Sequence, residues 1–504
     1  MAPAQETSPT EIAIHNPATG DFVGTVPIAT PAEVERAVAK ARAAQPSWDR
    51  IGVRKRRQLL TTFHDLLFDR QDEILDTIQR ESGKTRREAF GELLTVAGTA
   101  RYYTTHGEKY LAEESHPGAS RFITGARVLH KPHGVVGFIT PWNYPFILSV
   151  ADALPALLAG NAVVVKPSEV TPLSAEMARS LLVHSGLDGD LFQLVHGRGD
   201  VGATLIEQVD YIGFTGSVAT GRKVGVAAAQ RLIPSSLELG GKNPMLVLDG
   251  APLEAAVDGL IGGSFYNSGQ TCIAIERAYI ERPLFDRFVG LAKEKTEALK
   301  LGWSLGWEHD IGSLISTEHA SKVEAHLDDA IAKGATVVTG GRRLDDIGPA
   351  FFAPTILTDV DDSMELCCEE TFGPVVSLYP VEDVDEAVAK ANDTIYGLNA
   401  SVWSRDSKTS QAVAERIDAG SVGINSTLLI YATFDVPMGG VKQSGLGRRH
   451  GRPGILRFTQ SHSIVDSVTQ GGGYEAVLTK VTSESRARKL AKAFKMLRRI
   501  PGLR

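Results

Sequence analysis

The run Val135-Val136-Gly137-Phe138-Ile139, followed by the apolar helical segment Ala151 to Leu158 and then by Ala162-Val163-Val164-Val165, decides the fold. Short β-branched runs that alternate with apolar helices imply a parallel sheet covered by helices, because parallel neighbours need a crossover between them. The alternation resumes at Tyr211-Ile212-Gly213-Phe214-Thr215-Gly216-Ser217, which ends a strand and opens a helix through Gly221. It begins again after Gly241 and runs through Tyr279, Thr336-Val337-Val338 and Val375-Val376-Ser377-Leu378. The class is α/β, with a doubly wound parallel sheet and a second α/β unit after it.

Moving outward, residues 11 to 28 read as a polar start with strand-forming pieces, and Pro31 to Ala44 takes up a helical period. Val53 to Tyr110 is helix-rich and amphipathic, and its basic run Arg54-Lys55-Arg56-Arg57 reads as a solvated helix face. Phe458 to Val465 alternates apolar and polar residues like an edge strand, with Arg121 to His130 as its counterpart. Exposed edges of this kind need a partner, so a homo-oligomer is expected. Gly471-Gly472-Gly473 reads as a hinge before a tail bearing Arg486, Arg488, Lys489, Lys492, Lys495, Arg498 and Arg499. On a helix, Leu490, Phe494 and Leu497 share one side of that tail, a pattern open to two readings: a solvated tail, or contact with an anionic membrane surface or acidic partner.

Composition narrows the function classes. The chain has 504 residues, too many for one core, and 43% hydrophobic against 22% charged residues is ordinary for a soluble globular protein. A net charge of -7 argues against a nucleic-acid partner, since backbone phosphates reward clustered cations. Three cysteines, two of them the vicinal Cys367 and Cys368, make no disulfide framework and suit a reducing cytoplasm. The polar start carries no signal core and no apolar run is long enough to span a bilayer, so a cytoplasmic enzyme is the expectation. The thirteen His include no His-Glu-x-x-His and no Cys pair has zinc spacing, so no metal site is expected.

The chemistry concentrates between Glu238-Leu239-Gly240-Gly241-Lys242-Asn243-Pro244 and Gly269-Gln270-Thr271-Cys272. A thiolate needs neighbouring positive charge or backbone N–H groups to lower its pKa, and a nearby carboxylate can activate water once the cysteine is acylated. Read alone, a cysteine in a small-residue segment is equally a piece of core. The turn Gly213 to Ser217 offers glycine and a helix N-terminus to a phosphate, although it is not the common Gly-x-Gly-x-x-Gly fingerprint. Lys166-Pro167-Ser168-Glu169 comes at another strand end, where doubly wound sheets bind ligands.

These motifs, in this order and with Thr140-Pro141-Trp142-Asn143-Tyr144-Pro145 and Glu369-Glu370-Thr371-Phe372-Gly373-Pro374, resemble those of the NAD(P)-dependent aldehyde dehydrogenase superfamily. Asp393 to Ser401 and Gly445 to Gly451 look most like bacterial succinate-semialdehyde dehydrogenases, except that Arg449 stands where the more usual ending has Glu. The resemblance implies Cys272 as nucleophile, Glu238 as general base, and Asn143 with the Cys272 N–H as oxyanion donors. It implies a cofactor site at Thr140, Trp142, Lys166, Ser168, Glu169, Gly213, Gly216, Ser217, Leu239, Glu370 and Phe372. Glu169 would meet the adenine ribose and repel a 2′-phosphate, so NAD is expected ahead of NADP. It further implies a cofactor-binding domain (1–113 and 133–240, with 441–456), a catalytic domain (241–440), an oligomerisation arm (114–132 and 457–470) of a homodimer or homotetramer, and a basic C-terminal extension (471–504).

The implied substrate is succinate semialdehyde. Yet the tunnel residues Tyr144, Phe146, Tyr266, Ile273, Leu429, Tyr431 and Phe434 are apolar or aromatic, and Ala151 stands where better-known relatives carry an Arg. Such a lining suits a medium-chain or aromatic aldehyde equally. A cofactor-free thiol esterase and an inactivated scaffold are the more distant alternatives; the turn at Gly213 to Ser217 speaks against the first, and the retention of both Cys272 and Glu238 against the second.

Overall fold

Val135–Ile139 lies inside a six-stranded sheet in a computed structural model that describes residues 10–118, 124–467 and 479–497. The order is Gly445–Leu446, Ser235–Glu238, Tyr211–Thr215, Val135–Ile139, Ala162–Lys166, Phe192–Leu194, parallel throughout except for the short first strand. Val135, Val136 and the run Ala162 to Val165 have no exposed surface, as strands covered on both faces must. Going along the chain, strands after Val135–Ile139 are added on one side up to Phe192–Leu194. The next two are added on the other side, so the strand order reverses between Val135–Ile139 and Tyr211–Thr215. The carboxyl ends at that reversal form a crevice where such sheets bind ligands.

A seven-stranded sheet comes next, ordered Thr336–Thr339, Thr355–Thr358, Val375–Val381, Ile275–Glu281, Asn243–Val247, Asn399–Trp403, Ser421–Ile424. The two sheets keep separate cores, one around Val135, Val163 and Phe192, the other around Met245, Ile275 and Val376. They meet the crevice differently. The first sheet contributes the carboxyl ends of its strands, Glu238 among them, whereas the second contributes segments at the amino ends of its own: Leu239 and Gly240 before Asn243, Cys272 before Ile275, and Phe372 before Val375.

Thr459–Ser467 pairs antiparallel with Thr124–Pro132 along its whole length, from Thr459 opposite Pro132 to Ser467 opposite Thr124, and Glu114–His116 adds a third strand. The outer side of Thr459–Ser467 is an edge. Arg121 to Ile123 of the expected counterpart lie outside the described residues, as do Gly471 to Gly473, Arg498 and Arg499. The tail does form a helix, Glu484–Leu497, with Phe494 exposed. Among the described residues no helix is long and apolar enough to cross a membrane.

The basic run is not uniformly solvated. Arg54 and Arg57 pair with Glu108, but Arg56 is buried and donates to the carbonyls of Trp48, Asp49 and Leu158. A guanidinium can go inside when its donors meet otherwise unpaired helix-end carbonyls, which a charge-pattern reading of the run does not anticipate.

Candidate active site

The approach to Cys272 is made of backbone that most residues avoid. Asn267, Ser268 and Gly269 have φ of 55°, 54° and 72°, and a Cβ on Gly269 would fall 2.0 Å from the Gly373 carbonyl. Left-handed non-glycine residues persist only when surroundings over-determine them. Here Glu88 accepts the Asn267 N–H at 2.7 Å, the Asn267 amide donates to the carbonyls of Asn143 and Gln270, and Ser268 donates to Gly312. The Cys272 Sγ that results lies 3.4 Å from the Tyr431 hydroxyl. Burial pushes this thiol up to about 11, opposed in part by the Tyr431 hydroxyl and the charge of Arg449. The lowered thiol that the sequence argument asked for is therefore absent, because desolvation outweighs those two groups.

Asn143 is buried and lines the cleft, and its Nδ2 donates one proton to the Gln270 carbonyl at 3.0 Å, which leaves a second amide proton to donate. The Cys272 N–H makes no hydrogen bond within the described residues. The loop bearing Asn143 is fixed from beneath: Lys84, 2% exposed, donates to the Asn143 carbonyl at 2.8 Å and pairs with Glu92 at 2.5 Å. Glu92 in turn accepts the Phe146 and Ile147 N–H groups, at the start of the helix Pro145–Val150.

Glu238 ends its strand opposite Gly445. Its Oε1 is buried without a hydrogen-bond partner, and burial pushes the carboxyl up to about 7, with Arg449 the foremost opposing charge. Glu238, Asn143 and Cys272 line one cleft of about 230 Å³ that also reaches Trp142, Gly216 and Ser217.

Of the expected cofactor residues, Trp142, Gly216, Ser217, Leu239, Glu370 and Phe372 line this cleft, whereas Thr140, Lys166, Ser168 and Glu169 are not part of its wall. Ser217, in the cleft wall, caps the helix Val218–Gln230 by accepting the Thr220 N–H, and a Cβ on Gly216 would lie 2.6 Å from the Phe214 ring, so that glycine makes room for the ring. The buried Thr140 Oγ1 lacks a partner. Lys166 Nζ stands 3.2 Å from Glu169, while Ser168 Oγ accepts the Val170 N–H. Glu370 accepts the Gly241 N–H at 3.0 Å, and a Cβ on Gly240 would fall 2.3 Å from its carboxylate. Behind it the buried pair Lys242–Glu276 fixes the loop, Glu276 accepting the Thr371 and Phe372 N–H groups. Trp142 and Phe372 form an edge-on aromatic pair at 5.5 Å, joined by His319. Leu239 lines the cleft beside them.

Two expectations need correction. Gly213 is inside the strand Tyr211–Thr215, where a Cβ would strike the Phe138 ring at 2.5 Å, so its bareness serves sheet packing rather than phosphate approach. Ile273 is fully buried in an apolar cluster with Leu398 and Met438 and offers no surface to a tunnel, and Phe146 is likewise 0% exposed. Tyr144 and Tyr431 do line the cleft. Tyr266 instead donates to the Glu88 carbonyl, Phe434 packs edge-on against His450, and Leu429 is exposed.

Adjoining the cleft is a second, smaller chamber of about 20 Å³, whose walls include Thr95, Thr99, Tyr103, Asp152 and His450. Leu148, Tyr431, Met438 and Arg449 are common to both cavities. Lys84, Glu92 and Asn267 carry no local motif that would single them out. Lys242 and Arg449 stand inside recognisable motifs, but nothing in those motifs gives them a role.

Residues 4–464 match the sequence profile described as the aldehyde dehydrogenase family. The chain is 46% identical over 451 residues to a Mycolicibacterium smegmatis protein named putative succinate-semialdehyde dehydrogenase (NADP+), covering 89% of this chain and 87% of that one. Among solved structures it is similar to an NADP-dependent enzyme of E. coli, with a TM-score of 0.88, 35% identity, and 91% of this chain and 95% of that one covered. It is similar also to a Mycobacterium tuberculosis aldehyde dehydrogenase complexed with NAD+, at a TM-score of 0.87, 34% identity, and 91% and 95% coverage.

Proposed function

The chain belongs to the aldehyde dehydrogenase family of NAD(P)-dependent enzymes, and from that premise we propose that it is of the hydrolytic kind, releasing a free carboxylic acid. The observation that carries this reading is one cleft lined by Cys272, Glu238 and Asn143 at the reversal point of the first sheet. Cys272 gives up its thiol proton to solvent as Sγ attacks the aldehyde carbonyl carbon. The oxyanion faces the unpaired Cys272 N–H and the second Asn143 amide proton, and one donor of that kind contributes roughly 3–4 kcal/mol in hydrolases. Bound NAD(P)+ supplies the hydride acceptor. Collapse of the adduct leaves a thioester on Cys272. Glu238 then takes a proton from water, the hydroxide adds to the thioester, and the acid departs as the thiol is restored.

Thr140, Ser217, Glu169 and Glu370 would hold the cofactor. The Glu169 carboxylate, paired with Lys166, would accept from ribose hydroxyls and would repel a 2′-phosphate, which supports NAD over NADP although the M. smegmatis relative is named for NADP+. Among the described residues Thr459–Ser467 stands at the edge of its three-stranded sheet, which supports a homodimer or homotetramer joined through that strand. For the substrate we take succinate semialdehyde. The name of the M. smegmatis relative supports it. So does the second chamber of about 20 Å³, space for about one or two water molecules, which favours a short tail and has the hydroxyl-bearing Thr95 and Thr99 in its wall. Side-by-side kinetics on succinate semialdehyde, hexanal and benzaldehyde with both cofactors test this. A kcat/KM at least ~10-fold higher for succinate semialdehyde with NAD is expected, and the reverse order overturns the substrate reading.

A further inference from the structure

Arg449 stands at the wall common to the cleft and the chamber, and its surroundings have an unusual charge balance. Asp152 lies between two guanidiniums: its Oδ2 is 2.9 Å from Arg449 Nε and its Oδ1 accepts from Arg457 Nη2 at 2.6 Å. One carboxylate against two cations leaves one positive charge over. The Arg449 and Arg457 side chains are only 12% and 10% exposed, so water screens that charge poorly. A second anion beside Arg449 is Glu238, whose Oε1 is 4.0 Å from Arg449 Nε and has no hydrogen-bond partner among the described residues.

The backbone holds Arg449 in this place. Its N–H and carbonyl make a reciprocal bridge with Met438, and Nη2 donates at 2.6 Å to Thr215, at the end of the strand beside that of Glu238. Gly439 keeps the passage open, since a Cβ there would stand 3.3 Å from Glu238 Oε1. The other groups facing Glu238 do not replace this contact. Arg448 is spent on the carbonyls of Gly440 and Gly447, and Tyr211, Tyr431 and Cys272 stay neutral because burial raises each of them. His450, beside Asp152, is pushed down to about 4 and is neutral as well.

We propose that Arg449 is a positioning residue for the general base: the positive charge left over by the Arg449–Asp152–Arg457 cluster keeps the Glu238 carboxylate ionised and in place at the cleft wall. This rests on the reading of Glu238 as the deacylating base. Arg449 touches neither the substrate carbonyl nor the nucleophile in this role; its charge also opposes the rise of the Cys272 thiol, so its loss slows the burst while leaving the burst amplitude.

Hydrolysis of p-nitrophenyl acetate separates the two steps, because the nitrophenol burst reports acylation of Cys272 and the steady rate reports deacylation. Both are measured against pH for the wild type, Arg449→Met, Arg449→Lys, Asp152→Asn and Glu238→Gln. In Arg449→Met the burst amplitude stays and the deacylation midpoint moves up by ~1–2 pH units, as loss of an opposite charge at this distance demands. Arg449→Lys restores the midpoint to near the wild-type value. Asp152→Asn moves it the other way, downward, because the positive charge over is then doubled. An unmoved midpoint in Arg449→Met overturns the proposal, and so does a KM effect confined to succinate semialdehyde, which would make Arg449 an anchor for the substrate carboxylate instead. If Arg449→Met does not fold, an Asp152→Asn midpoint that stays or rises overturns it equally. A wild-type midpoint retained in Glu238→Gln refutes the base reading itself, independently of Arg449.

Discussion

Replacing Lys84 by Met tests whether the catalytic loop is held by a buried ion pair. Lys84 and Glu92 side chains are 2% and 0% exposed and 2.5 Å apart, and Lys84 also carries the Asn143 carbonyl. The substitution fills the same volume but leaves the Glu92 carboxylate with two backbone N–H donors and no cation. Breaking a buried pair by removing one partner costs about 3–5 kcal/mol, whereas replacing both partners by apolar residues is often neutral. We therefore expect Lys84→Met to lose about that much at pH 8 in urea unfolding, and Lys84→Met with Glu92→Leu to recover most of it. The loss has a pH signature. Burial already holds Glu92 above the ordinary carboxylate value of 4.5 with Lys84 opposing, so removing Lys84 raises it further. An acid whose folded pKa is raised favours the fold below its unfolded pKa and loses that contribution as pH rises through the folded one. The deficit of Lys84→Met should thus be smallest near pH ~5 and grow toward neutrality. A pH-independent deficit below ~1 kcal/mol, the range of an exposed pair, refutes the reasoning.

Three further outcomes are expected. Gly240→Ala places a methyl 2.3 Å from the Glu370 carboxylate and should raise the KM for the cofactor while leaving the ester burst intact, which steady-state titration with NAD reads. Deacylation-limited turnover should fall as pH drops through about 7, because Glu238 must be ionised to take the water proton; a rate flat from pH 6 to 8 contradicts that assignment. Glu169→Gln should raise kcat/KM with NADP by ~10-fold, or ~1.4 kcal/mol of transition-state binding, with little change for NAD.

The strands of the first sheet were legible because Val135–Ile139 and Ala162–Lys166 are local β-branched runs with glycine or polar ends. The groups that hold the site were not. Lys84 meets Asn143 across 59 positions and Glu92 meets Phe146 across 54, separations that no periodicity encodes. Gly213 misled because glycine reads alike whether it clears room for a phosphate or for the Phe138 ring. Arg56 misled because a basic run describes average exposure, while burial of one guanidinium depends on helix-end carbonyls brought from Trp48 and Leu158. The left-handed Asn267 and Ser268 escape any propensity argument, since their support comes from Glu88 and Gly312. Cys272, Glu238 and Asn143 were singled out because each stands in a motif, and the fold brings them to one cleft, but the raised thiol of Cys272 comes from the folded enclosure alone.

Intact-mass analysis of Glu238→Gln, incubated with succinate semialdehyde and NAD and quenched in acid, tests the central claim that Cys272 and Glu238 divide acylation and deacylation between them. The account predicts a persistent mass increase equal to a succinyl group, located at Cys272 by peptide mapping and absent from Cys272→Ala. Undiminished turnover of Glu238→Gln with no acylated species, or an adduct on Cys367 or Cys368 instead, would contradict it.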